Sequence, residues 1–176
     1  MRNLVVAATI AITASFSGFT QAQEAYVGFS FSQVDYFDTV DTYDLNAGVW
    51  RLGTNFNENF SGEIRAGFGV SEDAVNLGTL DVNVGLDRVY GAYLRGGIPV
   101  FDSFFPYVVV GYTRGKISVS APGFPSVSTT ESDTSFGLGL DFDVSESITV
   151  NAEYMNYFDK DEAEIDAFSL GIIFRF

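Results

Sequence analysis

The sequence predicts an all-β fold: an eight-stranded, antiparallel, up-and-down β-barrel that crosses a membrane. Three observations point to it. Bulky apolar residues alternate with small or polar ones at a period of two along most of the chain, as strand side chains do. Three short polar turns, Phe56–Phe60, Phe101–Phe104 and Val144–Ile148, carry acids at 58, 102 and 146, a spacing of 44 and again 44 residues. Longer, more polar connections fall between them. Short turns at one end and long loops at the other is the layout of a transmembrane barrel, whose strands need ~9–11 residues to cross.

Composition agrees and excludes other classes. The 176 residues include 18 Phe, 9 Tyr and 18 Gly, which favours pleated strands and tight contacts over helices. Nine basic against 23 acidic residues give a net charge of −14, the wrong sign for a nucleic-acid binder. With no Cys there are no disulfides, thiolate metal sites or thiol nucleophiles. With no His, most acid–base and nucleophilic catalysis at neutral pH is removed as well. The chain therefore reads as a non-enzyme with no cofactor. Its mean hydropathy is nonetheless +0.16, so acid and apolar surface must be separated in space.

The elements follow in order. Met1-Arg2-Asn3 is a short basic start, and Leu4–Ala14 is an apolar run of 11, too short for the ~20 residues of a spanning helix. Thr20 and Ala22 place small side chains at −3 and −1 of a cut after Ala22. Residues 1–22 read as a cleaved signal peptide and 23–176 as the barrel domain. Cleavage removes one charge, Arg2, and leaves −15.

Strands are expected at Tyr26–Val34, Tyr43–Thr54, Gly62–Val70, Val84–Gly97, Tyr107–Ile117, Thr134–Asp143, Thr149–Phe158 and Asp166–Phe176. The alternation is clearest in the third, sixth and eighth. There Ile64, Ala66, Phe68 and Val70, or Phe136, Leu138, Leu140 and Phe142, interleave with Gly, Ser and a few charges. A water-facing side would be richer in Lys, Glu and Thr. Small residues with pairable charges suit a narrow interior, so the bulky side faces an apolar exterior. Trp50, Phe60, Tyr90, Tyr93, Tyr107, Tyr154, Phe174 and Phe176 are candidates for interfacial girdles.

The small-residue side also carries Glu63, Arg65, Asp141, Glu153 and Arg175, with Arg95 expected to join them. Most lie near a short turn, so they should share one half of the lumen and pair there. Eight strands is the smallest closure that interior side chains can fill. Parity is ambiguous in the second and fourth strands. Arg51 is expected inward, between outward Trp50 and Leu52, and Arg88 is left unassigned.

The connections expected as long loops, about Asp35–Thr42, Ser71–Asn83, Ser118–Ser132 and Asp159–Ile165, hold or adjoin 12 of the 23 acids. These are Asp35, Asp38, Asp41, Glu72, Asp73, Asp81, Glu131, Asp159, Asp161, Glu162, Glu164 and Asp166. Asp159, Asp161 and Glu164 are candidates for cation binding. They do not form an EF-hand, because counting from Asp159 the sixth position is Glu164 rather than Gly and the twelfth is Leu170. Charged, solvated loops are the plainer reading.

Phe168-x-Leu170-x-Ile172-x-Phe174-x-Phe176 resembles the terminal strand of Gram-negative outer-membrane barrels, the segment read by the barrel-assembly machinery. Together with Pro106–Tyr112 (PYVVVGY), Ser135–Leu140 (SFGLGL), Glu153-Tyr154 and Ser169–Ile172 (SLGI), it makes residues 23–176 similar to a small eight-stranded family. That family includes the transmembrane domain of outer-membrane protein A, the Ail/outer-membrane protein X group and opacity-type proteins. The resemblance implies a cell-outer-membrane location, contact with outer-membrane lipid and lipopolysaccharide, and insertion by the assembly machinery. The matching motifs specify a barrel rather than an activity; the acidic loops point to a structural or adhesion-like role in which they meet an extracellular ligand. Without a peptidoglycan-binding domain after Phe176, cell-wall tethering is not expected. Two alternatives stand beside this reading: a narrow, salt-bridge-gated, porin-like channel, and a soluble secreted barrel. Enzymes among outer-membrane barrels rely on a His, which this chain lacks.

Overall fold

The computed structural model describes residues 24–37, 42–70, 72–77, 80–120, 126–160 and 163–176. The expected signal peptide lies outside them, as do Asp38, Asp41, Asp161 and Glu162. Nine strand segments occur: β1 (Ala25–Phe37), β2 (Thr42–Asn55), β3 (Phe60–Gly69), β4 (Glu72–Leu77), β5 (Leu80–Gly97), β6 (Phe104–Ser120), β7 (Val127–Ser145), β8 (Ile148–Lys160) and β9 (Ala163–Arg175). β3 and β4 are one stave interrupted near Val70, since both pair with β5, through Gly67↔Val89 and Glu72↔Gly85. Every pairing is antiparallel. β1 bonds to both β2 and β9, and β3 to both β2 and β5, so eight staves close into a ring with no free edge. The described residues contain no helix.

Alternation explains which face of each stave points where. Along β3 the exposed set is Phe60, Ile64, Ala66 and Phe68, and the buried set is Ser61, Glu63, Arg65 and Gly67. This inverts a water-soluble protein: Leu138 is 63% exposed, whereas Glu63 is 3% and Arg65 5% exposed. A continuous apolar belt of this kind marks contact with lipid hydrocarbon. On β6 the belt runs from Phe104 through Val108 and Val110 to Tyr112. Those eight steps at ~3.4 Å cover ~27 Å along the strand. A tilt of ~40° reduces this to about 20 Å, comparable with the ~25 Å apolar band of such barrels.

Two expectations are corrected here. The strands outrun the band: β5, β6 and β7 are 18, 17 and 19 residues long. Pairing continues to Phe37↔Thr42, Leu77↔Leu80, Val119↔Val127 and Lys160↔Ala163. Much of what reads as long loop is therefore β-ladder. Beyond lipid both faces meet water, so the apolar alternation vanishes while backbone hydrogen bonding continues. Asp166, expected at the start of the last strand, sits within β9 and is buried, with Asn156 Nδ2 donating to its Oδ1 at 3.0 Å.

The second correction concerns the girdles. Trp50, Phe60, Tyr90, Tyr154, Phe174 and Phe176 are exposed, but Tyr93 and Tyr107 turn into the lumen, 3% and 4% exposed. Aromatic type alone does not assign a face. Tyr93 shares parity with Arg95, and Tyr107 with Val109, all of them buried.

Candidate functional site in the lumen

The lumen-facing residues of β1 give the layering of the bore in order: Tyr26, Gly28, Ser30, Ser32, Val34. Tyr26 lies at the level of an ion network. The Tyr26 hydroxyl donates to Glu63 Oε1 at 2.8 Å. Arg95 Nη1 donates to the same oxygen at 2.9 Å, and its Nη2 donates to Asp141 Oδ2. Arg65 Nε donates to Glu63 Oε2 at 2.7 Å, while Nη1 and Nη2 donate to the two oxygens of Glu153 at 2.6 and 2.9 Å. Arg51 Nη2 comes within 3.6 Å of Glu153 Oε1 and donates to Ser30 Oγ at 3.3 Å. Three guanidiniums thus interlock with three carboxylates, all six residues buried.

Neutral groups extend the network, while Arg51 Nη1, Arg95 Nε and Asn151 Oδ1 are buried without a hydrogen-bond partner among the described residues. The Tyr107 hydroxyl donates to Glu153 Oε2 at 2.8 Å, and Asn151 Nδ2 donates to Asp141 Oδ1 at 2.6 Å and to the Tyr107 oxygen at 2.7 Å. The guanidinium of Arg95 stacks 3.7 Å over the Tyr107 ring and that of Arg65 lies 4.5 Å over Tyr93. Each carboxylate is met by several charge-assisted bonds, which is the condition for burying an ion pair.

Glycine makes the space. Tyr107 lies across Gly139 on β7, where a Cβ would stand 2.3 Å from the ring Cζ. Tyr26 lies in the same way across Gly53, with a Cβ at 2.2 Å. The high Gly count is therefore partly a packing requirement of the bore.

Above the ions comes a hydroxyl layer. Ser32 and Ser169 share a hydrogen bond of 2.7 Å, and Thr113 bonds to both the Tyr93 hydroxyl and Ser135. Next is an apolar layer of Val34, Leu45, Ala47 and Ala167, against which Tyr157 and Ile165 pack. At the turn end a mouth of about 190 Å³ opens, bordered by Glu24, Tyr26, Arg95, Asp143 and Arg175 among others.

Of the charges expected in the lumen, the structure brings together Glu63, Arg65, Arg95, Asp141 and Glu153. Arg175 stands apart at the mouth, its Nη2 donating to Asp143 Oδ1 at 2.6 Å and its Nη1 to Oδ2 at 3.1 Å. Arg51 points inward and Arg88 outward. Sequence reasoning passed over Tyr26, Tyr107 and Asn151 as partners. Parity could have found Asn151, two residues from Glu153 on the same face. Phe168, Leu170, Ile172, Phe174 and Phe176 all face outward in the last strand. Among the cation candidates, Asp159 and Glu164 are backbone partners across β8–β9. Their side chains, and Asp161, lie outside the described residues, and no metal-holding group of three acids occurs among those described.

An apolar belt around a filled polar bore defines a small closed transmembrane β-barrel. The model of the outer membrane protein β-barrel domain matches residues 4–176, and the chain belongs to that family of the outer membrane. Its fold is similar to that of Ail, the attachment invasion locus protein of Yersinia pestis. The two share 15% identity over 88% of this chain and 99% of that one, with a TM-score of 0.67. Neisserial surface protein A gives 13% identity over 86% and 97%, also at a TM-score of 0.67. The N-terminal barrel domain of Pseudomonas aeruginosa OprF gives 14% over 86% and 97%, at 0.61. No curated protein sequence matches the chain.

Proposed function

We propose that the protein is a non-conducting barrel whose acidic, paired hairpins rise from the outer face of the membrane and form an interaction surface. The observation that carries this reading is the filled bore: an ion network in series with the apolar layer of Val34, Leu45, Ala47 and Ala167. A wetted path has to cross both. The projecting ladders that end at Val119↔Val127 and Lys160↔Ala163 supply the surface. Ail has been crystallised with the heparin analogue sucrose octasulfate, so a barrel of this shape can take a polyanion. The acids of this chain favour a cationic partner instead. Export by cleavage after Ala22, and insertion guided by the outward row Phe168 to Phe176, complete the reading.

The test has two arms on the refolded barrel in vesicles. Planar-bilayer recording should be silent; discrete conductance that changes in Arg65→Gln or Glu153→Gln would replace this reading with a gated channel. A fluorescent oligolysine peptide should bind the vesicles, and neutralising Asp159, Asp161, Glu162 and Glu164 should abolish that binding while heat-modifiable gel mobility is retained.

A further inference from the structure

The chain has nine basic residues, unevenly placed. Among those described, Arg51, Arg65 and Arg95 lie in the bore and Arg175 at its mouth. Of the other four in the described strands, Lys160 ends β8, and Arg88, Arg114 and Lys116 stand together on the outer surface of β5 and β6. Arg88 pairs in register with Lys116, Tyr90 with Arg114, and Ala92 with Tyr112. Among the described side chains, Tyr90 and Tyr112 are the last large outward ones of the apolar belt on these strands, and the basic cluster begins directly beyond them.

The placement depends on a bulge. The register shifts between Leu86 and Arg88, which leaves Asp87 unpaired and turns it to the outer face beside Arg88. Asp87 accepts a hydrogen bond from Ser118 at 2.7 Å and lies 3.4 Å from Lys116 Nζ. It orients Lys116 and offsets one of the three charges. The salt bridges among the described residues include neither Arg88 nor Arg114. On the neighbouring strand, Thr130 and Ser132 stand opposite Lys116 and Arg114.

Like charges directly opposite on a sheet destabilise it; Asp87 offsets only one of the three cations, so a second anion beside Arg88 and Arg114 relieves what remains. A net charge near +2 complements a phosphate monoester, which carries about −1.5 to −2 at neutral pH. Two arginine forks match its oxygens in a way that a diffuse cationic surface does not. Depth selects the source, because the rim of the apolar belt is the level of lipid head groups.

We propose that Arg88, Arg114 and Lys116, above the Tyr90–Tyr112 rim, bind a lipid-borne phosphate monoester in the leaflet at the hairpin end. This rests on the reading that the hairpins face outward. It adds a defined, annular lipid site on one side of the barrel.

The test uses the folded full chain in detergent micelles, with retained lipid counted by native mass spectrometry. Diphosphoryl lipid A, its dephosphorylated form and phosphatidylglycerol serve as probes. Wild type should retain the diphosphoryl lipid at least ~5-fold better than phosphatidylglycerol. The triple variant R88Q/R114Q/K116Q should lose about tenfold. R88K/R114K, which keeps the charge but not the fork, should lose part of the preference. Undiminished retention by the triple glutamine variant overturns the site. Equal retention of monoester and diester lipids, unchanged in R88K/R114K, overturns it in favour of diffuse attraction. Thiol labelling of Ser128→Cys on intact cells tests the orientation separately. Failure to label would sink the outward reading and the leaflet assignment, and would leave the micelle result to judge the residues.

Discussion

Arg65 and Glu153 meet across the bore as a two-pronged ion pair that joins β3 to β8, strands with no ladder in common. Arg65 also contacts Glu63, so removing the guanidinium takes a fork from Glu153 and a second cation from Glu63. Tyr107 and the more distant Arg51 are left on the first, and Arg95 with Tyr26 on the second. Arg65→Met should cost ~3–5 kcal/mol, while the double replacement R65M/E153M should cost less than the sum of its parts. Urea unfolding of the vesicle-inserted barrel measures both. A cost below ~1 kcal/mol for Arg65→Met would show that water reaches the network.

Tyr107 needs the empty space over Gly139. Gly139→Ala should displace the ring, break its bond to Glu153 and destabilise the barrel by ~1–3 kcal/mol. At Gly67, also on the lumen side, an added Cβ would meet nothing nearer than 3.3 Å. Gly67→Ala should therefore be the milder change in the same unfolding assay, and a reversed order would refute the packing account.

Val108 is the middle outward position of β6 and Tyr112 the upper one. Val108→Arg should cost ~2–4 kcal/mol in a bilayer, and Tyr112→Arg ~0–1. Equal costs would place the apolar band elsewhere on the strand.

Asp87, beyond the band, has its carboxyl held below the usual carboxylate range, first by the Ser118 hydrogen bond and then by Lys116 and Arg88. The charged form is the one favoured by folding. Its contribution is present above the ordinary Asp pKa of ~3.9 and fades as pH falls through the lowered value. Ser118→Ala should move the Asp87 titration upward, as followed by carboxyl-resolved NMR. An unchanged midpoint would assign the depression to the neighbouring cations.

Where alternation is uninterrupted, sequence and structure speak the same language. Glu63 and Arg65 follow Ser61 on one side of β3 while Phe60, Ile64 and Phe68 take the other, so parity alone separates them. Arg88 shows where this fails. The bulge at Asp87 reverses parity within β5, and nothing in the local residue types announces it. Tyr93 and Tyr107 fail differently: aromatic rings suit a membrane rim, and their place in the bore depends on glycines of neighbouring strands, Gly111 and Gly139. Such a partnership is set by register, which is a property of the closed ring. The hairpins look like loops in sequence because period two is a signature of two unlike solvents. It disappears once water lies on both sides of the ladder.

The ring closure has a consequence for how the molecule comes to exist. Arg51 and Arg65 come from β2 and β3, and Glu153 from β8, so their meeting requires the first and last strands to have joined. A sheet that enters lipid unclosed carries charges whose partners are still on the far edge, and hydrocarbon penalises each of them. Closure of the seam and completion of the ion network are therefore coupled in the finished barrel: Glu153 meets Arg51 and Arg65 only when β1 and β9 are paired.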